Sequence, residues 1–413
     1  MKKFLALTLA LVMSLSLVAC GDKKTDDTKT DEPDQKTEHP AENEGAYKVA
    51  MITDYGDITD QSFNQTTYEA CKAFAEDNDI EFNYFKPVGD NTADRVAMIE
   101  KAADEGYNVI VMPGYAFGGA IVEAAPEFPD VKFIALDVAA GDLLETAVAK
   151  AGKTYDYTPD NWDLSEYVDM SNVYCAVYQE ELCGYMAGYA AVKLGYKNLG
   201  FLGGMAVPAV VRYGYGFVQG VDAAAADLGL TDVSLNYVYG GQFFGDADIT
   251  AVMDTWYAGG TEVVFACGGG IYTSAVDAAK KANAKVIGVD VDQAGVIAGY
   301  AGVEGMTVTS AMKGLYPTTY DTLTDVIVNG NGDAYKGKIA TLGLVSGDDP
   351  ELNYVQIPMG EGTQWSDSFT QDDYKAMVKD MFDGKITVSN DVSKAPSDFA
   401  TVIAVEDQGA IKG

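Results

Sequence analysis

The chain has 413 residues, 48% of them hydrophobic, which is enough for more than one packed core and too apolar for a disordered protein. Its formal net charge of −34 repels nucleic-acid backbones and gives anionic ligands no long-range attraction, so a neutral or cationic ligand is favoured. The single histidine, His39, lies in a polar acidic stretch, which leaves catalytic triads, histidine zinc sites and imidazole acid–base chemistry without their central residue.

The first twenty residues are a Met-Lys-Lys start, an apolar run from Phe4 to Val18, and Ala19 ahead of Cys20. The pattern resembles a bacterial lipoprotein signal, with 1–19 removed and Cys20 as the lipid-bearing first residue of the mature chain. Residues 20–46 are mostly Asp, Glu, Lys, Thr and Pro, cannot bury surface, and read as an acidic flexible tether. About 26 flexible residues span roughly 30 Å, so the remainder would stand just outside a membrane.

The first strand-like run is Tyr47 to Thr53. Gly56-Asp57 turns the chain, and Ser62 and Gln65 have the S-x-x-Q spacing of a capping box, which predicts a helix from Ser62 with Phe63 and Asn64 in its first turn. Short β-branched runs then alternate with helical patterns: strand 81–86, helix 92–105, strand 108–112, helix 117–127 and strand 131–137. Such alternation predicts parallel strands with helices on both faces, a first lobe over 47–140. Gly141 to Met170 mixes polar and aromatic residues without a clear period, and 141–172 is expected to be an insertion between the lobes.

The rhythm resumes with strand 173–178, helix 180–194, strand 199–203, helix 213–228, strand 233–239, helix 246–257, strand 262–267, helix 272–282 and strand 285–290. These form an expected second lobe over 173–305. The last quarter of the chain, with strand 306–310, helix 315–328, strand 339–345 and a final helix 371–382, comes in pieces too short to bury a core of their own. It is expected to cross back between the lobes, about 306–330 joining the first and about 335–413 the second. The expected class is α/β, two doubly wound parallel-sheet lobes joined by hinge strands. Cys71, Cys175, Cys183 and Cys267 sit in apolar patterns without a C-x-x-C pair and read as buried free thiols.

Polar residues collect at strand ends. Asp54, Asp137 and Asp290 each follow an apolar strand; a single such aspartate is most often a turn residue or cap, but three at equivalent ends suit ribose hydroxyls or a base N–H edge. Phe63 falls at a helix start, and Phe243 and Phe244 fall in the turn Gly240-Gly-Gln-Phe-Phe-Gly-Asp246. Core packing explains any one phenylalanine equally well, yet rings in a Gly-rich loop from opposite lobes could sandwich a flat base. Gly268-Gly-Gly270 lacks the lysine of a phosphate loop and reads as a tight turn that brings backbone near a ligand. Lys313 is a scarce cation just beyond Thr307-Val-Thr-Ser310.

In chain order, Thr53-Asp54, Asp60-Gln-Ser-Phe-Asn-Gln65, Phe133-Ile-Ala-Leu-Asp137, Tyr185-Met-Ala-Gly188, Gly200-Phe-Leu-Gly-Gly204, Gly216-Phe217, Gly245-Asp246, Val286-Ile-Gly-Val-Asp-Val-Asp-Gln293 and Thr309-Ser-Ala-Met-Lys313 resemble the basic membrane protein family of bacterial lipoproteins, which includes a purine nucleoside receptor of an ABC importer. The resemblance covers most of 47–345. It implies a type I periplasmic-binding-protein fold closing on a nucleoside. It further implies Phe63 as a stacking ring with Asp54 and Asn64 beside it, Asp137 as a base-edge partner, Asp290 and Lys313 as ribose contacts, and either Phe243 or Phe244 as the second ring. No cofactor or metal is implied. The implied partners are a nucleoside, the permease and ATPase subunits of an ABC transporter, and a membrane reached through the lipid on its extracytoplasmic side, with the receptor a monomer. A sugar, autoinducer or amino-acid receptor on the same fold is the alternative, and a nucleoside hydrolase is a third reading that the scattered carboxylates disfavour.

Overall fold

The structure is a computed structural model and describes residues 47–412. The signal-like segment 1–19, Cys20 and the tether 20–46 lie outside the described residues.

The chain opens with β1 (Lys48–Ile52), α1 (Phe63–Asp77), β2 (Glu81–Phe85), α2 (Thr92–Asp104), β3 (Val109–Pro113), α3 (Gly118–Ala124) and β4 (Lys132–Leu136). β1, β3 and β4 are fully apolar or nearly so and buried on both faces, as parallel strands between helical layers must be. α4 (Ala140–Lys150) follows at once. The expected insertion at 141–172 is therefore corrected: its first part is the regular crossover helix, with Leu143, Leu144, Ala147 and Val148 buried at helical spacing and the Asp142 carboxylate accepting the Ala139 N–H at 2.7 Å. Only residues 151–172 form an irregular excursion, with two single 3₁₀ turns.

Next come β5 (Val173–Tyr178), α5 (Glu180–Lys193), β6 (Asn198–Gly203), α6 (Pro208–Leu228), β7 (Ser234–Tyr239), α7 (Ala247–Ala258), β8 (Val263–Cys267), α8 (Tyr272–Ala282), β9 (Lys285–Asp290), α9 (Ala294–Ala301) and β10 (Thr307–Lys313). The chain closes with α10 (Leu315–Leu323), β11 (Lys338–Leu342), β12 (Val355–Gln356), α11 (Gln371–Phe382) and β13 (Ala404–Ala410). One sheet has the order β11-β5-β4-β3-β1-β2, the other β12-β10-β9-β8-β6-β7-β13. Among the described residues, the strands of both sheets pair in parallel except β12, which runs antiparallel to β10.

The two doubly wound lobes are as expected, but three lobe assignments are corrected. Strand 173–178 belongs to the first sheet, paired with β4 from Phe133↔Val173 onward. Strand 338–342 extends the same sheet through Ile339↔Cys175, and β10 belongs to the second sheet beside β9. Of the segment assigned to the first lobe, only the helix packs there, α10 against α1. An alternating pattern specifies parallel strands but not which open edge accepts them, because any apolar strand of matching length can continue a ladder. The chain thus crosses between lobes three times, between Tyr178 and Glu180, between Lys313 and Leu315, and between Leu342 and Val355. The crossings set Glu180 and Lys313 at the hinge.

α5 and α6 form the centre of the second lobe through glycine. A Cβ on Gly184, Gly188, Gly216 or Gly220 would run into the backbone of Tyr213, Phe217, Glu181 or Tyr185, respectively, so the two helices touch backbone to backbone. Cys71, Cys175, Cys183 and Cys267 are buried and free, as expected.

Candidate functional site

The carboxyl ends of both sheets face a shared cavity of about 410 Å³, within the usual size range of small-molecule sites. Asp54, Phe63, Asn64, Asp137, Phe243, Phe244, Asp290 and Lys313, named from the sequence, all line it.

One pole is built by the turn between β1 and α1. Asp54 Oδ1 accepts the N–H groups of Tyr55 and Gly56, both at 2.6 Å, and the Asn64 amide at 3.3 Å. The start of α1 is capped by Asp60, whose carboxylate accepts the N–H groups of Asn64 at 2.9 Å and Gln65 at 3.1 Å. The expected capping box is therefore corrected. Ser62 makes no cap; its hydroxyl donates to Asp290 Oδ2 at 2.5 Å in the opposite lobe, and Gln65 Oε1 accepts the Gln61 N–H at 3.1 Å instead. Asp60, two residues earlier, reaches the free N–H groups first, because Gln61 at φ 58° turns its carboxylate beneath the helix. Burial pushes both Asp54 and Asp60 above the ordinary aspartate range, and Asn64 Oδ1 is buried with no protein partner.

The other pole is centred on Lys313, the last residue of β10. Its ammonium lies 2.5 Å from Asp137 Oδ2, 3.5 Å from Glu180 Oε1 and 3.7 Å from Asp290 Oδ1. Burial by itself would favour neutral lysine, but the surrounding carboxylates of Asp137, Asp290 and Glu180 outweigh it and raise the Lys313 pKa, so the cation persists. Burial also pushes Asp137 up, against the pull of Lys313 and with Glu180 and Asp290 adding to the rise. Arg212 bonds Glu180 Oε2 at 2.7 Å, and the Tyr213 hydroxyl donates to Asp290 Oδ1 at 3.2 Å. Asp137 and Asp290 share a left-handed backbone, φ 61° and φ 65°, which costs a residue with a Cβ and aims both carboxylates off their strands into the cavity. Asp137 Oδ1 has no protein partner.

Aromatic rings line the same cavity. Lys313 Nζ stands 4.7 Å over the Phe63 ring. Phe243 packs on Gly204 and Gly268, where an added Cβ would collide with its ring, and lies 6.4 Å from Tyr55 of the first lobe. Phe244 is 56% exposed. Sequence reasoning missed Glu180, Arg212, Tyr213 and the cross-lobe role of Ser62. A signal was present for one of them: Arg212 is one of two arginines in the chain, and a rare guanidinium on an apolar helix has to find a carboxylate.

Comparison with known proteins bears on this arrangement. The family model described as ABC transporter substrate-binding protein PnrA-like matches residues 47–349, well over half of the chain. The chain is 26% identical over 259 residues to the ABC transporter nucleoside-binding protein BmpA of Lactococcus lactis subsp. cremoris, a match covering 60% of this chain and 64%, just under two thirds, of that protein. It is 26% identical over 307 residues to the CD4+ T-cell-stimulating antigen of Listeria innocua, covering 71% of this chain and 74% of that protein. An ABC transporter system solute-binding protein from Aeropyrum pernix K1 has the same fold, with a TM-score of 0.60 at 20% identity over 86% of this chain and 90% of that one. The fold is thus that of type I periplasmic binding proteins. The chain belongs to the family of PnrA-like ABC transporter substrate-binding proteins, a family of solute receptors rather than enzymes.

Proposed function

We propose that the protein is a lipid-anchored extracytoplasmic receptor, acting as a monomer, that closes on a purine nucleoside and delivers it to the permease and ATPase subunits of an ABC importer. The observation that carries this reading is that one cavity is lined both by the Phe63 and Phe243 rings and by two separate polar clusters, one around Asp54 and one around Lys313. A flat base stacks between Phe63 and Phe243, each ring contributing roughly 1–3 kcal/mol. Phe243 is favoured over Phe244 because it is seated on Gly204 and Gly268 while Phe244 is largely exposed. Asp54 and Asn64 meet the base edge. Asp137, which the family resemblance had given to the base edge, pairs with Lys313 and is better grouped with Lys313 and Asp290 against the ribose hydroxyls. Among the charged residues of the lining, aspartates outnumber Lys86, Arg212 and Lys313, which suits a neutral nucleoside and disfavours a nucleotide. The name of the Lactococcus relative agrees with this class of ligand.

Mass spectrometry of ligand released from freshly purified protein, followed by calorimetric titration, tests the reading. Inosine, guanosine or adenosine should bind and ribose alone should not, and inosine should be recovered without free base. A released sugar, or titrations in which no nucleoside binds, would overturn the assignment. The anchor is tested separately: Cys20→Ala should leave the precursor unlipidated and release the protein from the membrane fraction, since no other thiol lies near the apolar run.

A further inference from the structure

β13 lies beyond residues 47–349 of the family match, yet it reaches the ligand cavity indirectly. It adds to the edge of the second sheet in parallel register with β7, from Ala404↔Ser234 to Ala410↔Tyr239, and the Ile411 N–H continues the ladder to the Tyr239 carbonyl at 2.8 Å. The next residue, Lys412, then stands beside the loop that carries both second-lobe rings. Its ammonium bonds the Asp246 carboxylate and lies 3.3 Å from Gln242 Oε1, while the Gln242 amide donates to Phe244 O at 2.9 Å and to Asp246 Oδ2 at 2.8 Å. Gly241, at φ 81°, has the Lys412 backbone against it, so the loop and the strap touch along their main chains as well. Lys412 is the foremost cause that holds the Asp246 carboxyl down to about 2, and the other oxygen of that carboxylate caps α7 through the Asp248 and Ile249 N–H groups.

We infer that β13 and Lys412 form a strap that fixes the Phe243–Phe244 loop in its ligand-ready position, with Lys412 a positioning residue for binding. The part of this that concerns affinity rests on the nucleoside reading. Lys412 does not line the cavity, and its charge has no net charge to act on in a neutral ligand, so its effect on affinity runs through the loop.

Lys412→Met, Asp246→Asn, the double variant and Lys412→Arg provide the test. Hydrogen exchange without ligand reads the loop directly, at the Gly240 and Gly241 amides that bond the Gly203 and Gly204 carbonyls at 2.7 Å and 3.0 Å. Exchange there should accelerate in Lys412→Met, and inosine affinity should fall about two- to fivefold, the range of a partly exposed ion pair. The double variant should lose no more than either single one. Lys412→Arg should restore both readouts, and melting temperatures should stay close to that of the unaltered protein. High salt should weaken the unaltered protein toward the Met variant but leave the variant little changed. Unchanged loop exchange overturns the inference, as does accelerated exchange with unchanged affinity for a nucleoside that the unaltered protein binds. If the unaltered protein binds no nucleoside while loop exchange still accelerates, the nucleoside reading falls and the strap stands.

Discussion

At the residue scale, the proposed function separates groups expected to contact a ligand from groups that hold those groups in place. Phe63 is half-buried in the first turn of α1 and presents its ring to the cavity. Phe63→Ala is expected to cost roughly 1–3 kcal/mol of nucleoside affinity, one stacking partner, with little change in melting. A core phenylalanine would show the opposite, a stability loss of about 3–5 kcal/mol at unchanged affinity, so titration and melting of one sample decide between them. Glu181 is different: it lies beside the hinge at 2% exposure, its Oε2 has no partner, and burial with the neighbouring Glu180 charge pushes its pKa up to about 7. An unfolded glutamate loses its proton near pH ~4.3, so between about 4 and 7 the folded state holds a proton that the unfolded chain has released. This contribution to stability is complete at low pH and is lost as pH rises through the folded value. Glu181→Gln should therefore stabilise the protein at pH 8 by up to about 3 kcal/mol and hardly at all at pH 4. Thermal melts at the two pH values check it, and an offset equal at both would show that the carboxyl does not titrate in this window.

At the scale of elements, the α5–α6 contact explains why Tyr185-Met-Ala-Gly188 and Gly216-Phe217 can be recognised in the sequence. Their glycines mark where two helix backbones meet, a constraint that no larger residue satisfies. Gly216→Ala would drive a methyl into the Glu181 carbonyl and should destabilise by about 1–3 kcal/mol, as overpacking does, with a lower denaturant midpoint and an unchanged slope. The start of α1 shows how one near neighbour redirects a local signal. The S-x-x-Q spacing is a sound cap signal, but Asp60 was near enough to replace the serine, which left the Ser62 hydroxyl for Asp290.

At the scale of the whole molecule, the lobes are joined across the cleft by Ser62 to Asp290, by Gln293 Nε2 to the Gln61 carbonyl at 3.1 Å, and by Lys313 to Asp137. A ligand can shift closure only by its differential affinity for the closed state, and under the proposed function Asp290 supplies part of that difference from the second lobe. Asp290→Ala should weaken ribonucleosides more than the matching free bases, which have no ribose hydroxyls to lose. It should also reduce the ligand-induced compaction measured by small-angle scattering. Equal losses for adenosine and adenine would make Asp290 a purely structural residue.

The sequence by itself determined the fold class, the parallel strands and the free buried cysteines, because each follows from local spacing, while the eight residues that line one cavity came from residues at strand ends and turns together with the family resemblance, which alone pointed to Asn64. The polar edge strand β13, with sequence AVEDQGA and mostly exposed, carried no periodic signal and was missed. Tertiary structure alone decided that β5 and β11 complete the first sheet and β10 the second, since an open sheet edge accepts any apolar strand of matching length. It alone decided also that Glu180 and Arg212 join Lys313, Asp137 and Asp290. Asp137 and Lys313, 176 positions apart, come into one ion-pair cluster only where three chain crossings converge, and the free energy of pairing buried charges depends on that convergence rather than on neighbours in sequence.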